Sequence, residues 1–209
     1  MGYSYKDRII NDSFYAYFLS HNEDDGWDDH DKYGNFDYLL KVIEKGKTPL
    51  SSSTIHDVGC GTGDLAGYLS KKGLKEYVGI DIFPMSVDLA RMKYPAHEFI
   101  VDDFLTHEFK DRFTYVVFSG ALAAILNTDN YQMMELFLKK MWILSLKGVA
   151  CNFITRENNQ EKDEELFLYD FDRVLEITKK VAPNARISYE QNHAGENDEF
   201  LQTHLYLVR

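Results

Sequence analysis

The residues best suited to chemistry form a short glycine-rich stretch that follows an apolar run. Residues 57–63 read DVGCGTG, and a helical pattern starts directly after them. Glycines at alternate positions let a backbone turn sharply into a helix and approach a bound ligand closely. The stretch therefore predicts a ligand-binding loop between a strand and a helix, with Gly59, Cys60, Gly61 and Gly63 as its contacts.

Carboxylates lie at the ends of three successive apolar runs. Asp57 ends the first run, Asp81 ends the second, and Asp102 with Asp103 ends the third. The carboxyl ends of parallel strands meet at one edge of a sheet, so we expect these side chains to lie together. There Asp57 suits a cationic amine such as that of a methionyl group. Asp81 can accept from both hydroxyls of a ribose, and Asp102 or Asp103 suits an adenine amino group.

Three neighbours complete this predicted ligand site. Phe104 either packs on the adenine ring or offers its backbone N–H to it. Ile82 directly follows Asp81, and Ser119 ends a fourth apolar run. All three are expected at the same edge of the sheet, so they count as candidate cofactor contacts.

A nicotinamide dinucleotide is the competing cofactor. Residues 61–66 read GTGDLA and satisfy the looser glycine fingerprint of dinucleotide-binding loops. The carboxylates of Asp57 and Asp64 would repel a pyrophosphate bound there, because they add negative charge where its own would lie. The residues therefore favour a ligand with a cationic group, and a nicotinamide-dependent oxidoreductase stays as the alternative.

Short apolar runs alternate with amphipathic stretches from residue 54 onward. This alternation predicts an α/β fold in which a mostly parallel sheet carries helices on both faces. Two final runs, separated by turn-rich residues 193–198, predict a closing hairpin. The apolar runs are 55–58, 77–80, 98–101, 114–119, 149–154, 185–190 and 200–208, and the helical patterns begin near Asp64, Pro84, Asp129 and Phe171.

The first fifty residues differ from the rest by their many aromatic side chains. Helical spacing from Phe36 to a stop at Gly46 predicts a helix in this region. We therefore expect an N-terminal helical cap at 1–50 and a cofactor-binding domain at 51–209. Tyr15, Trp27 and Tyr33 either roof a substrate as part of a lid or pack as a fixed cap on the core.

Three stretches resemble motifs of class I S-adenosylmethionine-dependent methyltransferases. They read DVGCGTGDLAGYL at 57–69, VGID at 78–81 and FIVDDFL at 99–105, and FTYVVFSGALAAIL at 113–126 is similar to the fourth strand of that family. The resemblance implies a Rossmann-like sheet of seven strands with an antiparallel last strand. It also implies S-adenosylmethionine as cofactor, S-adenosylhomocysteine as product, and methyl transfer to oxygen or nitrogen of a small or medium-sized acceptor.

One stretch departs from part of that family. Residues 119–122 read SGAL, where methyltransferases of nucleobase or glutamine amino groups often carry Asn/Asp-Pro-Pro-Tyr/Phe. The resemblance therefore does not extend to those acceptors. A protein that binds S-adenosylmethionine without catalysing transfer is the alternative from another functional class.

Catalysis of methyl transfer requires little from the protein beyond placing a nucleophile in line with an activated methyl group. If a general base takes part, His193 in the predicted hairpin loop is the candidate, with His21 and His30 behind it. An exposed loop histidine without a role is the alternative. No metal site is expected, although the acidic loop at 23–31 leaves a cation site as the alternative to a solvated face.

Charge and composition restrict the partners. The chain has 34 acidic and 23 basic residues, a net charge of -11 and no basic run, which argues against nucleic acid and anionic membranes. No apolar stretch reaches the length of a membrane span, and the start lacks the layout of a signal peptide. With Cys60 and Cys151 interpreted as reduced, we expect a cytoplasmic protein with a small-molecule acceptor; the sequence predicts no particular oligomeric state.

Overall fold

The computed structural model describes residues 29–157, 166–194 and 200–209, with side chains described for all of these except 29–33 and 194. Seven strands form one sheet in the order β3-β2-β1-β4-β5-β7-β6. Only β7 runs antiparallel to its neighbours, so the predicted Rossmann-like α/β fold is confirmed. The strands are β1 Thr54–Val58, β2 Glu76–Asp81, β3 Glu98–Val101, β4 Phe113–Ser119, β5 Ser145–Thr155, β6 Arg186–Ala194 and β7 Phe200–Val208.

Five α-helices in the described ranges cover both faces of this sheet. One face packs against the first three helices and the other against the last two, and each face has its own cluster of buried apolar side chains. No described helix combines the length and the apolar character needed to cross a membrane. The helices are α1 Asp29–Gly46, α2 Asp64–Lys71, α3 Pro84–Lys93, α4 Asn130–Leu144 and α5 Phe171–Val181.

Local sequence signals explain where the later helices start. Asp129 and Asp170 are the N-caps of α4 and α5, and their carboxylates accept from the backbone N–H groups of Tyr131 (2.8 Å) and Arg173 (3.0 Å). Such a cap contributes about 1 kcal/mol by satisfying an N–H that the helix itself leaves unpaired. Pro84 occupies the first turn of α3, where its missing N–H costs nothing. The predicted helix positions follow from these residues.

Helix α1 packs on one face of the sheet and runs antiparallel to β5. Near its middle Tyr38 stacks on His204 of β7, with ring centroids 4.0 Å apart, whereas further along Val42 lies against Gly148 at the start of β5. The helix therefore begins near the carboxyl edge of the sheet. Leu39 and Val42 are 2% and 0% exposed, so this part of the predicted cap belongs to the core. The lid hypothesis narrows to residues 1–28, which lie outside the described residues.

The closing hairpin forms as predicted, with β7 over the predicted run, but β6 is longer than its apolar run suggested. Strand β6 continues through His193, which pairs with Leu201 of β7, to Ala194. The prediction that places His193 in a hairpin loop is therefore wrong. Backbone pairing in a hairpin continues as long as the partner strand offers hydrogen bonds, and polar side chains on an edge strand do not interrupt it.

Candidate functional site

The glycine-rich loop leaves β1 and is fastened to the end of β2. The backbone N–H groups of Gly59 and Cys60 both donate to the carbonyl of Ile80, at 2.8 and 3.1 Å. Gly59, Gly61 and Gly63 have φ angles of 73°, 51° and 80°. These left-handed conformations cost other residues about 1–2 kcal/mol each, which explains why glycine stands at all three positions.

The space around the three glycines shows which of them allow close packing and which one leaves room for a ligand. A side chain at Gly59 would come within 2.7 Å of the Ala121 side chain, and one at Gly63 within 3.0 Å of Phe99. A side chain at Gly61 would meet nothing within 4 Å. Gly59 and Gly63 therefore permit close packing of the loop on its neighbours, whereas Gly61 presents open backbone that a ligand can approach.

Asp81 holds the loop and the end of β2 together. One carboxylate oxygen accepts from the backbone N–H of Gly61 and the other from that of Phe83, both at 2.9 Å. The side chain of Ile82 is 8% exposed and belongs to neither of the two apolar clusters of the core. Asp81 thus lies beside the open face of the loop, and Ile82 follows it directly in the chain.

Asp57 lies beneath the loop and is 3% exposed. Its carboxylate accepts a hydrogen bond from the hydroxyl of Tyr77 at 2.6 Å. The pKa of Asp57 is raised from 3.8 to about 7, chiefly because burial disfavours the charged form; the Tyr77 hydrogen bond opposes this rise and the nearby negative charge of Asp81 adds to it. The charge of Asp81 therefore adds to a cost of ionising Asp57 that comes mainly from burial.

The two carboxylates after β3 differ in their surroundings. Asp102 has a side chain that is 47% exposed, and one of its oxygens lies 2.8 Å from Nδ1 of His107. Asp103 is 9% exposed and accepts from the backbone N–H of Leu105 at 2.8 Å. The structure thus places both at the predicted edge, with Asp102 facing outward and Asp103 shaping the turn.

Two predicted contacts have side chains that face the core instead. The Cys60 thiol packs against Gly79 of β2, and burial raises its pKa well above the usual range. Phe104 is 4% exposed, with its ring 5.3 Å from that of Phe137 and 5.9 Å from that of the fully buried His56. The Phe104 ring therefore packs among core side chains, and a hydrogen bond from its backbone N–H, the other predicted role, stays a prediction.

A second cavity lies next to the loop, beyond the end of β4. Ser119 ends β4 beside Asn152 of β5, and the Asn152 carboxamide oxygen accepts from the N–H of Gly120 at 2.9 Å. The cavity opens to solvent: its space including the open mouth is about 290 Å³, and its enclosed part has room for about one water molecule. Its walls are Gly120, Leu122, Ala123, Asn152, Phe153, Ile154, Tyr169 and Gln202.

The structure does not place the candidate base at the glycine-rich loop, and it does not describe the side chains of the candidate lid residues. His193 is exposed, lies 3.8 Å from Glu157, and belongs to the edge strand β6, four strands away from β1. Tyr15, Trp27 and His21 lie outside the described residues, and so do the side chains of His30 and Tyr33. In the described ranges, His, Cys, Asp and Glu nowhere form a group of three that could hold a metal ion.

The cavity residues Asn152, Tyr169 and Gln202 were not predicted from the sequence. One signal was present: Gln202 is an amide within the apolar run at 200–208, on a strand that is buried on both faces. A polar residue in such a run either satisfies a partner or serves a ligand. The sequence alone did not show that its partner would be missing.

Residues 55–140 match the sequence profile of a family described as a methyltransferase domain. The match covers the glycine loop, the first four strands and most of α4. It confirms, over these residues, the resemblance to class I S-adenosylmethionine-dependent methyltransferases. No relative was found among curated protein sequences.

Solved structures share the fold at low identity. The N-methyltransferase NodS from Bradyrhizobium japonicum WM9, in complex with S-adenosyl-l-homocysteine, has a TM-score of 0.73 and 14% identity over 96% of this chain and 98% of its own. Magnesium protoporphyrin IX methyltransferase from Synechocystis PCC 6803, with bound S-adenosylmethionine, has a TM-score of 0.70 and 16% identity over 100% of both chains. The [4+2]-cyclase SpnF has a TM-score of 0.65 and 13% identity over 83% and 81%. The same fold therefore serves different reactions.

Proposed function

We propose that this class I methyltransferase holds S-adenosylmethionine at the carboxyl edge of β1–β3. It transfers the methyl group to oxygen or nitrogen of a small or medium-sized acceptor beside β4 and β5. The observation that carries the proposal is the open, left-handed Gly61 next to the coupled carboxyl groups of Asp57 and Asp81. Backbone that a ligand can reach, flanked by carboxyl groups, suits a nucleoside with cationic substituents.

The charge at the site favours this cofactor over a dinucleotide. Asp57 and Asp81 raise each other's cost of ionisation, so a ligand that brings positive charge lowers that cost. The ammonium and sulfonium groups of S-adenosylmethionine both bring positive charge, whereas a pyrophosphate adds negative charge. The same argument makes the nicotinamide-dependent oxidoreductase the weaker alternative.

Acidic residues would hold the rest of the cofactor. A carboxylate oxygen can accept two hydrogen bonds, so Asp81 would accept from the ribose hydroxyls while it also accepts the backbone N–H groups that fasten the loop. At the end of β3, Asp102 or Asp103 would accept from the adenine amino group, and the Phe104 N–H would donate to the ring. Ile82 would cover the apolar face of the adenine.

When bound, S-adenosylmethionine supplies a methyl group that is already activated towards nucleophiles. The contribution of the chain is then to hold the acceptor in line and to exclude water. Among the described side chains that line the cavity, only that of Tyr169 carries an ionisable group, and its hydroxyl donates to the Leu122 carbonyl at 3.1 Å. We therefore infer that catalysis depends on positioning, and His193 is proposed as a base only for an acceptor that reaches β6.

A lid completes the proposal. Since α1 begins near the carboxyl edge, the chain that precedes it joins the domain beside the site. Residues 1–28, with Tyr15 and Trp27, would cover the acceptor and favour a cationic methyl donor through their aromatic faces. The charge balance supports a cytoplasmic protein that acts on small molecules rather than on nucleic acid.

Calorimetry and product analysis test the proposed function. Titration with S-adenosylmethionine, S-adenosylhomocysteine and NAD should show binding of the first two only. Release of S-adenosylhomocysteine in the presence of a panel of hydroxyl and amine acceptors should identify the transfer. Binding of NAD alone would favour the oxidoreductase, and tight S-adenosylmethionine binding without turnover of any acceptor would favour the non-catalytic alternative.

A further inference from the structure

The cavity beyond β4 contains a buried amide that nothing in the described structure satisfies. Gln202 is 1% exposed, and neither its carboxamide oxygen nor its carboxamide nitrogen has a hydrogen-bond partner among the described residues. Burial of an unpaired amide costs about 1–3 kcal/mol. A polar side chain that lowers stability in this way, in the wall of a cavity, indicates a site whose partner arrives from outside the fold.

The walls around Gln202 are fixed by hydrogen bonds between distant segments. Tyr169 donates its backbone N–H to the Ile154 carbonyl at 2.9 Å and its hydroxyl to the Leu122 carbonyl at 3.1 Å. Gln202 itself stands opposite Ile154 in the pairing of β5 with β7. These contacts preform the cavity, so a ligand would not have to order it on binding.

The lining defines the chemistry of the ligand. None of the described residues that line the cavity is charged, and most of this wall is apolar: Leu122, Ala123, Phe153, Ile154 and the ring of Tyr169. A carboxamide offers one acceptor and two donor hydrogens in a plane, so its best complement is a group with a donor and an acceptor side by side. Small-molecule sites commonly combine an apolar wall with a few polar groups that fix orientation.

The cavity also lies where an acceptor should be. Gly59 of the cofactor loop packs directly against Ala121, and the neighbouring residues Gly120 and Leu122 line the cavity. From β1 the sheet order leads through β4 and β5 to β7, so Gln202 is three strands from the loop, or about 14 Å at the usual strand spacing. A small molecule held by Gln202 at one end can present its other end to the loop.

We propose that this cavity binds the methyl acceptor, and that Gln202 recognises it through paired hydrogen bonds to an uncharged amide-like group. The acceptor is thus a neutral molecule with an apolar body and a lactam, carboxamide or similar donor–acceptor pair. That the bound molecule is the methyl acceptor rests on the proposed methyltransferase function, whereas the preference of the cavity for an amide-like group does not.

Three probes of nearly equal size test the specificity: benzamide, benzoate and benzylamine. Each is titrated by ligand-observed NMR against the full-length protein saturated with S-adenosylhomocysteine. The variant Gln202→Leu keeps the side-chain volume but removes both hydrogen-bonding groups. Gln191→Leu is the matched control, since Gln191 is an exposed residue of β6 whose amide donates to Thr203 at 2.9 Å, outside the cavity.

Benzamide should bind the wild type more tightly than the two charged probes. Its Kd should rise at least tenfold in Gln202→Leu and stay within twofold in Gln191→Leu, with unchanged S-adenosylhomocysteine affinity in all three proteins. The melting temperature of Gln202→Leu should rise, because the unpaired amide is gone. A crystal of the wild type would show benzamide against Gln202.

Four results overturn the proposal. They are equal benzamide binding by wild type and Gln202→Leu, preference for benzoate or benzylamine, absence of binding by every probe, and a crystal that shows an ordered water only at Gln202. Failure of the proposed function is a separate result, because it appears as loss of S-adenosylhomocysteine binding by the wild type, whatever the probes do.

Discussion

The carboxyl edge of the sheet carries two regions that satisfy their polar groups in opposite ways. In the cofactor region Asp81 and Asp103 accept from backbone N–H groups close to them in the chain or in the neighbouring loop. In the cavity beyond β4, Gln202 is buried more deeply than either aspartate but has no described partner. A region whose polar groups hold each other is formed before its ligand arrives, whereas an unpaired amide obtains its partner only with the ligand. We infer that the first region is common to many cofactor users and the second is particular to this acceptor.

The largest expected effect on the cofactor region comes from closing the open face of Gly61. Gly61→Val fills the space that a ligand would approach, so we expect cofactor affinity to fall at least 100-fold while the domain stays folded. The control is Gly73→Val. Gly73 also has a positive φ, of 95°, and open space around it, but it lies after the end of α2 that is away from the glycine-rich loop. Both variants carry about 1–2 kcal/mol of backbone strain, so similar melting temperatures with different calorimetric affinities would assign the loss to the ligand. Equal affinity in the two variants would contradict the role of Gly61.

The second prediction concerns the pH dependence of Asp57. A carboxyl group whose pKa is raised to about 7 in the folded protein stabilises the fold fully below pH 4 and loses that contribution as the pH rises to 7. The loss amounts to at most about 4 kcal/mol, since each pH unit corresponds to about 1.4 kcal/mol. The buried His56 and His204 have the opposite effect. Because the pKa of each is lowered to about 4, the folded protein loses stability as the pH falls below 6.5.

The difference between wild type and Asp57→Asn isolates the carboxyl group. Urea unfolding at pH 4.5, 6 and 8 should show the variant gaining stability relative to wild type as the pH rises. Cofactor binding near pH 6 should release a proton from the wild type, detectable as a calorimetric heat that depends on the buffer. Parallel pH profiles for the two proteins would show that Asp57 keeps an ordinary pKa.

Asp81→Ala should have a smaller effect on cofactor binding. The loss of hydrogen bonds between a charged group and the ribose is worth about 1.5–3 kcal/mol, or about a tenfold to 150-fold increase in Kd. Asp88→Ala, on the exposed side of α3, should leave the Kd unchanged. An unchanged Kd for a folded Asp81→Ala would show that this carboxylate fastens the loop without touching the ribose.

Deletion of residues 1–28 should change cofactor affinity least, by less than about threefold, while it abolishes turnover of an acceptor. The deletion must end before α1, because Leu39 and Val42 belong to the core and their removal would unfold the domain. Calorimetry with S-adenosylhomocysteine and release of that product in the presence of an acceptor separate the two effects. Turnover at the full-length rate by the truncated protein would refute the lid.

The sequence by itself determined the order of strands and helices and the outline of the cofactor region. The loop at 57–63 is a local structure, since glycines within one short segment fix its turns and Asp81 follows on the adjacent strand. The apolar runs predicted the sheet through a local signal too, because strands that helices cover on both faces must be apolar along their length. Local signals of this kind do not depend on which distant residues meet.

Tertiary structure alone decided which side chains face the cofactor and which line the cavity. Phe104 and Cys60 lie at predicted positions, but neighbours from other strands turn both side chains into the core. The cavity joins residues near 120, 152, 169 and 202 through the pairing of β4 with β5 and of β5 with β7. Whether Gln202 finds a partner depends on that packing, since an amide's hydrogen bonds are set by what surrounds it in space and not by its neighbours in the chain.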